Sequence, residues 1–239
     1  MPSPAPNSLM TRHIVASLVM FALAAVLPAA ARAQRQDTPA PVKGEPYRYD
    51  PDNARDVMRI CAGCHGESGA GGGAGVYPRL GGLNADYLAD QIHKFKSRER
   101  ENIPMIPFTV DRELSERDVL DIARFLSEIK IDTKPPAEMP ADGFARLQIM
   151  KKVLQVPREP GEVEAGKAFY DADCRPCHGA RAEGRLKRPP LAAQHMAYLK
   201  TQVESFLAGK RTHDDIAILR ARSAADWTNL WAYISTLAE

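Results

Sequence analysis

Apolar residues in this chain recur at spacings of three and four, and almost nowhere alternate. Tyr87, Gln91 and Phe95 step by four, as do Tyr198, Gln202 and Phe206, so each set marks one helix face. The plainest reading of their aromatic members is core packing. Helices are predicted over residues 52–60 and 162–173. Another short one is predicted over 144–156, where Phe144, Leu147, Met150 and Leu154 recur at helical spacing. Ser115 followed three residues later by Asp118 resembles a capping box and opens a predicted helix over 115–129. Its counterpart runs from about residue 223 to 237. With no sustained two-residue alternation, the expected fold is all-α with long loops.

The pattern also repeats. Pro78-Arg79-Leu80, Tyr87-Leu88, Gln91 and Phe95 return as Pro189-Pro190-Leu191, Tyr198-Leu199, Gln202 and Phe206, at a constant shift of 111 in residue number. Between the copies, Pro135, Pro136, Pro140, Pro157 and Pro160 give a linker composition. The 144–156 helix interrupts that linker and is expected to dock between the two copies. Gly69, Gly71, Gly72, Gly73 and Gly75 in the first copy lack a phosphate-loop pattern and are expected to form a flexible loop. They would also let the backbone lie close to a flat cofactor.

Near the start, Arg12 and His13 precede the apolar run 14–27, and Ala31-Arg32-Ala33 supplies a small-x-small cleavage site. The run is short for a membrane span, which needs about 20 apolar residues. It therefore reads as an export signal; left uncleaved, it would serve as an N-terminal membrane anchor. The expected organisation is a signal peptide (1–33), a flexible segment (34–50), one domain (51–131), a linker with a short helix (132–160) and a second domain (161–239). A formal net charge of +2 spread over mixed acidic and basic residues gives no footprint for nucleic acid. Aromatic residues make up 7% of the chain, which is thin for two cores unless a large apolar cofactor completes them.

The chemistry sits in Cys61-x-x-Cys64-His65 and Cys174-x-x-Cys177-His178, which use all 4 cysteines. Cys-x-x-Cys-His is the pattern of c-type haem attachment, in which two thiols hold the porphyrin and the histidine reaches the iron. Zinc fingers add a spaced histidine pair that is missing here, and a thioredoxin-like dithiol has no use for the histidine. Two covalently attached haems c are expected. Haem attachment outside the cytoplasm agrees with export and places the protein in a bacterial periplasm.

Two Cys-x-x-Cys-His-Gly motifs, each followed by Pro-x-Leu and then Tyr-Leu-x₂-Gln-x₃-Phe, resemble the dihaem class I cytochromes of the cytochrome c4 type. The resemblance spans nearly the whole mature chain. It implies two tandem class I cytochrome c domains joined by the proline-rich linker, with electron transfer between periplasmic or membrane-bound redox proteins. It also implies that His65 and His178 are proximal ligands, and that the carbonyls of Pro78 and Pro189 orient their rings. In the first half, Met105 stands where the family places its sixth ligand, and it is the only methionine between His65 and the end of that domain.

The second half departs from the family here. Counted forward from Phe206, the place of Met105 falls on Ile216; counted back from Asp226, it falls on His213. Three readings stay open: ligation by His213, ligation by Met196 on the Tyr198 helix, or an open iron. The resulting expectation is an electron carrier rather than an enzyme. Its alternatives are a dihaem protein whose second iron binds or turns over a small ligand, and a cytochrome subunit of a larger oxidoreductase complex.

Overall fold

The computed structural model describes residues 46–237. The expected signal peptide and residues 34–45 of the expected flexible segment lie outside the described residues. The first half contains α1 (Pro51–His65), α2 (Ala85–Lys96) and α3 (Glu116–Glu128), with 3-10 turns at Gly73–Gly75 and Ile103–Phe108. After α4 (Gly143–Met150), the second half contains α5 (Val163–Phe169), one π turn (Tyr170–Cys174), α6 (Arg175–His178), α7 (Met196–Leu207), α8 (Ile216–Arg220) and α9 (Ala224–Thr236). Among the described residues the only β structure is isolated bridges. The chain is all-α, as its periodicity predicts.

Local chemistry sets the helix ends. The Asp50 carboxylate accepts from the backbone of Asp52 and Asn53 at 3.0 and 3.1 Å, with Pro51 at the first helical position. Ser115 and Ser223 both form reciprocal capping boxes, with Asp118 and Asp226. Replacing either serine with alanine is expected to cost about 1 kcal/mol in thermal unfolding. Within the first half α1 packs on α3, and within the second α5 packs on α9. Val57, Leu88, Val119, Ile122 and Leu126 fill one core, and Phe169, Tyr170, Leu199, Leu230 and Ile234 fill the other.

Three expectations change. First, the residues just before α1 are tied down. Tyr47 donates to the fully buried Asp121 at 2.9 Å, and the Asp50 backbone N–H donates to the same oxygen at 3.0 Å. Second, α4 stops at Met150, and Phe144 and Leu147 are 70% and 49% exposed, so much of the apolar face expected to dock lies open to solvent. The contact comes from the extended residues after it: Val153 and Leu154 are buried, and the Leu154 N–H bonds to the Asp132 carbonyl at 2.8 Å.

Third, the glycine-rich loop is part of the joint between the halves. A Cβ on Gly71 would lie 2.4 Å from His195 Nε2, so only hydrogen fits there. His195 Nε2 donates to the Ala70 carbonyl at 2.8 Å. Nearby, the Arg79 backbone N–H donates to the Gln194 carbonyl oxygen at 2.9 Å, and the Gln194 amide returns a bond to the Arg79 carbonyl at 3.0 Å.

The two repeated helix faces meet through their polar members. Arg100 donates to Gln91 of its own half at 2.7 Å and to Tyr198 and Gln202 of the other at 3.0 and 2.9 Å. Arg211 mirrors it, donating to Gln202 at 2.7 Å, Gln91 at 2.8 Å and Tyr87 at 3.3 Å. Tyr87 and Phe95 are buried as core residues should be, but Gln91 and the tyrosine hydroxyls serve the joint.

Candidate haem sites

Each attachment motif closes a helix. Cys61 and Cys64 lie one turn apart near the end of α1, and Gly66, at φ +76°, turns the chain away immediately after His65. His65 is buried, and its Nδ1 donates to the Pro78 carbonyl at 3.0 Å. Its Nε2 is thereby left as the lone-pair nitrogen. In the second half the π turn carries the chain into Cys174, and α6 ends at His178. Tyr170, buried at the start of that turn, donates to the Gly179 carbonyl at 2.7 Å and braces the motif from behind. The His178 Nδ1 donates to the Pro189 carbonyl at 2.9 Å, repeating the first half.

Burial lowers the pKa of both histidines, against the opposing pull of the proline carbonyls, so both imidazoles are neutral near pH 7. Burial also pushes the Cys61 thiol up to about 11 and the Cys174 thiol to about 12. Both thiols are therefore protonated near pH 7, unlike the activated thiolate of a reactive dithiol. All four cysteines are free of disulfides. Among the described residues no three or more His, Cys, Asp or Glu side chains gather as a metal-ion cage. Two cysteines one turn apart beside an imidazole with a free Nε2 fit a haem held by thioethers and one axial nitrogen.

The sixth positions differ. Met105 lies half-buried within the Ile103–Phe108 turn. Its carbonyl accepts from Oγ1 of the buried Thr109 at 3.1 Å, a brace that no motif or spacing in the sequence marks. In the second half His213 is half-buried, with its ring edge-on to Phe206 at 5.1 Å between centroids. A charge on His213 would add to the lowering of the His178 pKa that burial causes. Ile216 opens α8, and Met196 is buried in the second core beside Leu199. His213 and Met196 carry side chains able to ligate iron, and Ile216 does not.

The chain belongs to the cytochrome c family, whose profile matches residues 52–130 and 163–238. It is a dihaem class I cytochrome of the c4-like kind, an electron carrier with two covalently attached haems c. Among its relatives, the thiosulfate dehydrogenase electron acceptor of Thiomonas intermedia is 34% identical over 160 residues, covering 66% of this chain and 68% of that one. Cytochrome c4 of Azotobacter vinelandii is 28% identical over 176 residues, covering 69% and 76%. The structure of reduced cytochrome c4 from Pseudomonas stutzeri shares the fold, with a TM-score of 0.61 at 22% identity over 79% of this chain and 98% of that one.

Proposed function

We propose that this protein is a periplasmic electron carrier with two unlike haem sites, and that it accepts electrons from a thiosulfate dehydrogenase. Cys61, Cys64 and His65 hold the first haem with Met105 as sixth ligand; Cys174, Cys177 and His178 hold the second, with His213 as sixth ligand. The observation that carries this is the repeated bond from histidine Nδ1 to a proline carbonyl, which presents a neutral Nε2 in both halves. Bound haem supplies a one-electron couple, and a thioether ligand raises its potential relative to a second imidazole. The polypeptide fixes each ring by its carbonyl bond and holds the two sites in one relation through the Arg100–Arg211 network. Residues 51–131 and 161–239 are the two functional units, and the export signal delivers them to the periplasm. The electron donor is suggested by the relatives named as thiosulfate dehydrogenase electron acceptors.

A second reading draws on one contact. The Asp215 backbone N–H reaches His213 Nδ1 at 3.3 Å, which favours the tautomer with its proton on Nε2. In that form His213 would donate to a small molecule on an open iron. Carbon monoxide added to the reduced protein separates the two. Ligation by His213 predicts little uptake in the parent and uptake by half the haem in His213→Ala; an open iron predicts uptake by half the haem in the parent already. A His213→Ala variant with unchanged spectra in both oxidation states would remove His213 from the second site altogether. Thiosulfate dehydrogenase with thiosulfate is expected to reduce the oxidised protein far faster than thiosulfate alone.

A further inference from the structure

We infer that Arg188 and Asp214 form a latch that positions His213 over the second haem, an inference resting on the reading that His213 faces that iron. Asp214 directly follows His213, and its carboxylate pairs with the Arg188 guanidinium. Arg188 in turn directly precedes Pro189, whose carbonyl accepts from His178 Nδ1 at 2.9 Å. One dipeptide, Arg188-Pro189, is therefore bonded both to the proximal histidine and to the neighbour of the distal one.

The segment offering Arg188 is itself fixed. The backbone N–H groups of Arg185 and Arg188 exchange bonds with each other's carbonyls at 3.0 and 2.8 Å, closing a tight turn over Leu186 and Lys187. Beside it, Gly184 packs so closely that a Cβ would lie 2.6 Å from the Pro190 nitrogen.

The first half contains no such pair. At the same shift of 111, Tyr77 stands in the place of Arg188 and Ile103 in the place of Asp214. That half braces its ligand turn from inside, through Thr109 and the Met105 carbonyl. Neither register of the repeat puts a threonine at the matching place in the second half, which falls on Ala217 or Arg220. The second half thus lacks the threonine brace; beside the local bond from the Asp215 N–H to His213 it carries an external pair. The paired side chains are 45% and 66% exposed, so the pair adds little to folding. Its effect falls on the freedom of the His213 loop.

The test is the rate of carbon monoxide uptake by the second haem of the reduced, haem-loaded protein. Arg188→Gln and Asp214→Asn are each expected to speed uptake by about fivefold, the fold-change matching a strong exposed ion pair. The exchanged double variant, Arg188→Asp with Asp214→Arg, should return the rate close to that of the parent. Raising the salt to about 1 M, where the Debye length is about 3 Å, should speed uptake in the parent but not in Asp214→Asn. Parent-like uptake in both single variants, with fast uptake in His213→Ala, overturns the latch and leaves the ligand reading standing. An exchanged variant that melts normally but stays fast also overturns it. A His213→Ala variant that behaves like the parent removes the ligand reading, and the latch with it.

Discussion

Gly166→Ala is expected to lower the melting temperature of the haem-loaded protein by about 4–8 °C, the shift produced by about 2 kcal/mol in a chain of this size. Gly166 lies where α5 crosses α9, and a Cβ there would sit 1.9 Å from the Asn229 carbonyl oxygen and 2.9 Å from the Tyr233 Cβ. The obstacle is backbone, so no side-chain rotation relieves it, and the helices must separate. Overpacking of this kind costs about 1–3 kcal/mol, and this contact belongs at the upper end. Alanine recovers about 1 kcal/mol through its higher helix propensity, leaving the net loss stated. Gly143→Ala is the control: it is also helical but has no atom within 4 Å of the added methyl. Its melting temperature should hold or rise slightly. An unchanged melting temperature in Gly166→Ala would show that the α5–α9 contact is looser than described.

The second large effect concerns the joint. Gln91 Oε1 accepts from Arg100 at 2.7 Å and Arg211 at 2.8 Å; Gln202 Oε1 accepts from Arg100 at 2.9 Å and Arg211 at 2.7 Å. Removing one arginine leaves each glutamine oxygen with the other, so Arg100→Met or Arg211→Met alone is expected to cost about 1 kcal/mol. Removing both strands the two oxygens together, at about 1–3 kcal/mol for each unsatisfied group. The double variant should therefore lose more than the sum of the single ones, with a coupling above about 0.5 kcal/mol. Calorimetry should show one transition in the parent and two in the double variant, as the halves melt apart. Strictly additive losses with a single transition would contradict the shared-acceptor arrangement.

Where the chemistry is local, the sequence was a good guide. Ser115 with Asp118 and Ser223 with Asp226 mark helix starts because a cap bonds residues only three apart. The constant shift of 111 identified matched helices, and α2 and α7 begin and end in register with it. The α4 prediction ran too far because Leu154 kept helical spacing after the helix had ended at Met150. A buried extended residue and a buried helical one can fall at the same interval.

The joint was harder to read. Arg100 and Arg211 obey the same shift, so their equivalence is visible in the sequence, but equivalence does not reveal that each reaches into the opposite half. Glycine content likewise suggested freedom of movement, whereas at Gly71 its cause is the close approach of His195. At the haem sites, the motifs and the proline carbonyls were legible from spacing and resemblance. The brace from Thr109 and the pairing of Arg188 with Asp214 depend on loop paths that no periodicity records.

Asn84 and His195 occupy the same place in their repeats, just before α2 and α7. Asn84 turns its side chain inward and accepts from the Tyr87 N–H at 3.1 Å, capping its own helix. His195 leaves α7 without a side-chain cap and bonds across the joint to Ala70 instead. The two halves are thus not interchangeable parts: two joined copies of the first would have every helix capped and lose the His195–Ala70 bond across the joint. The matched arginines tie the halves together from both sides, and the unmatched His195 adds a bond that runs one way only.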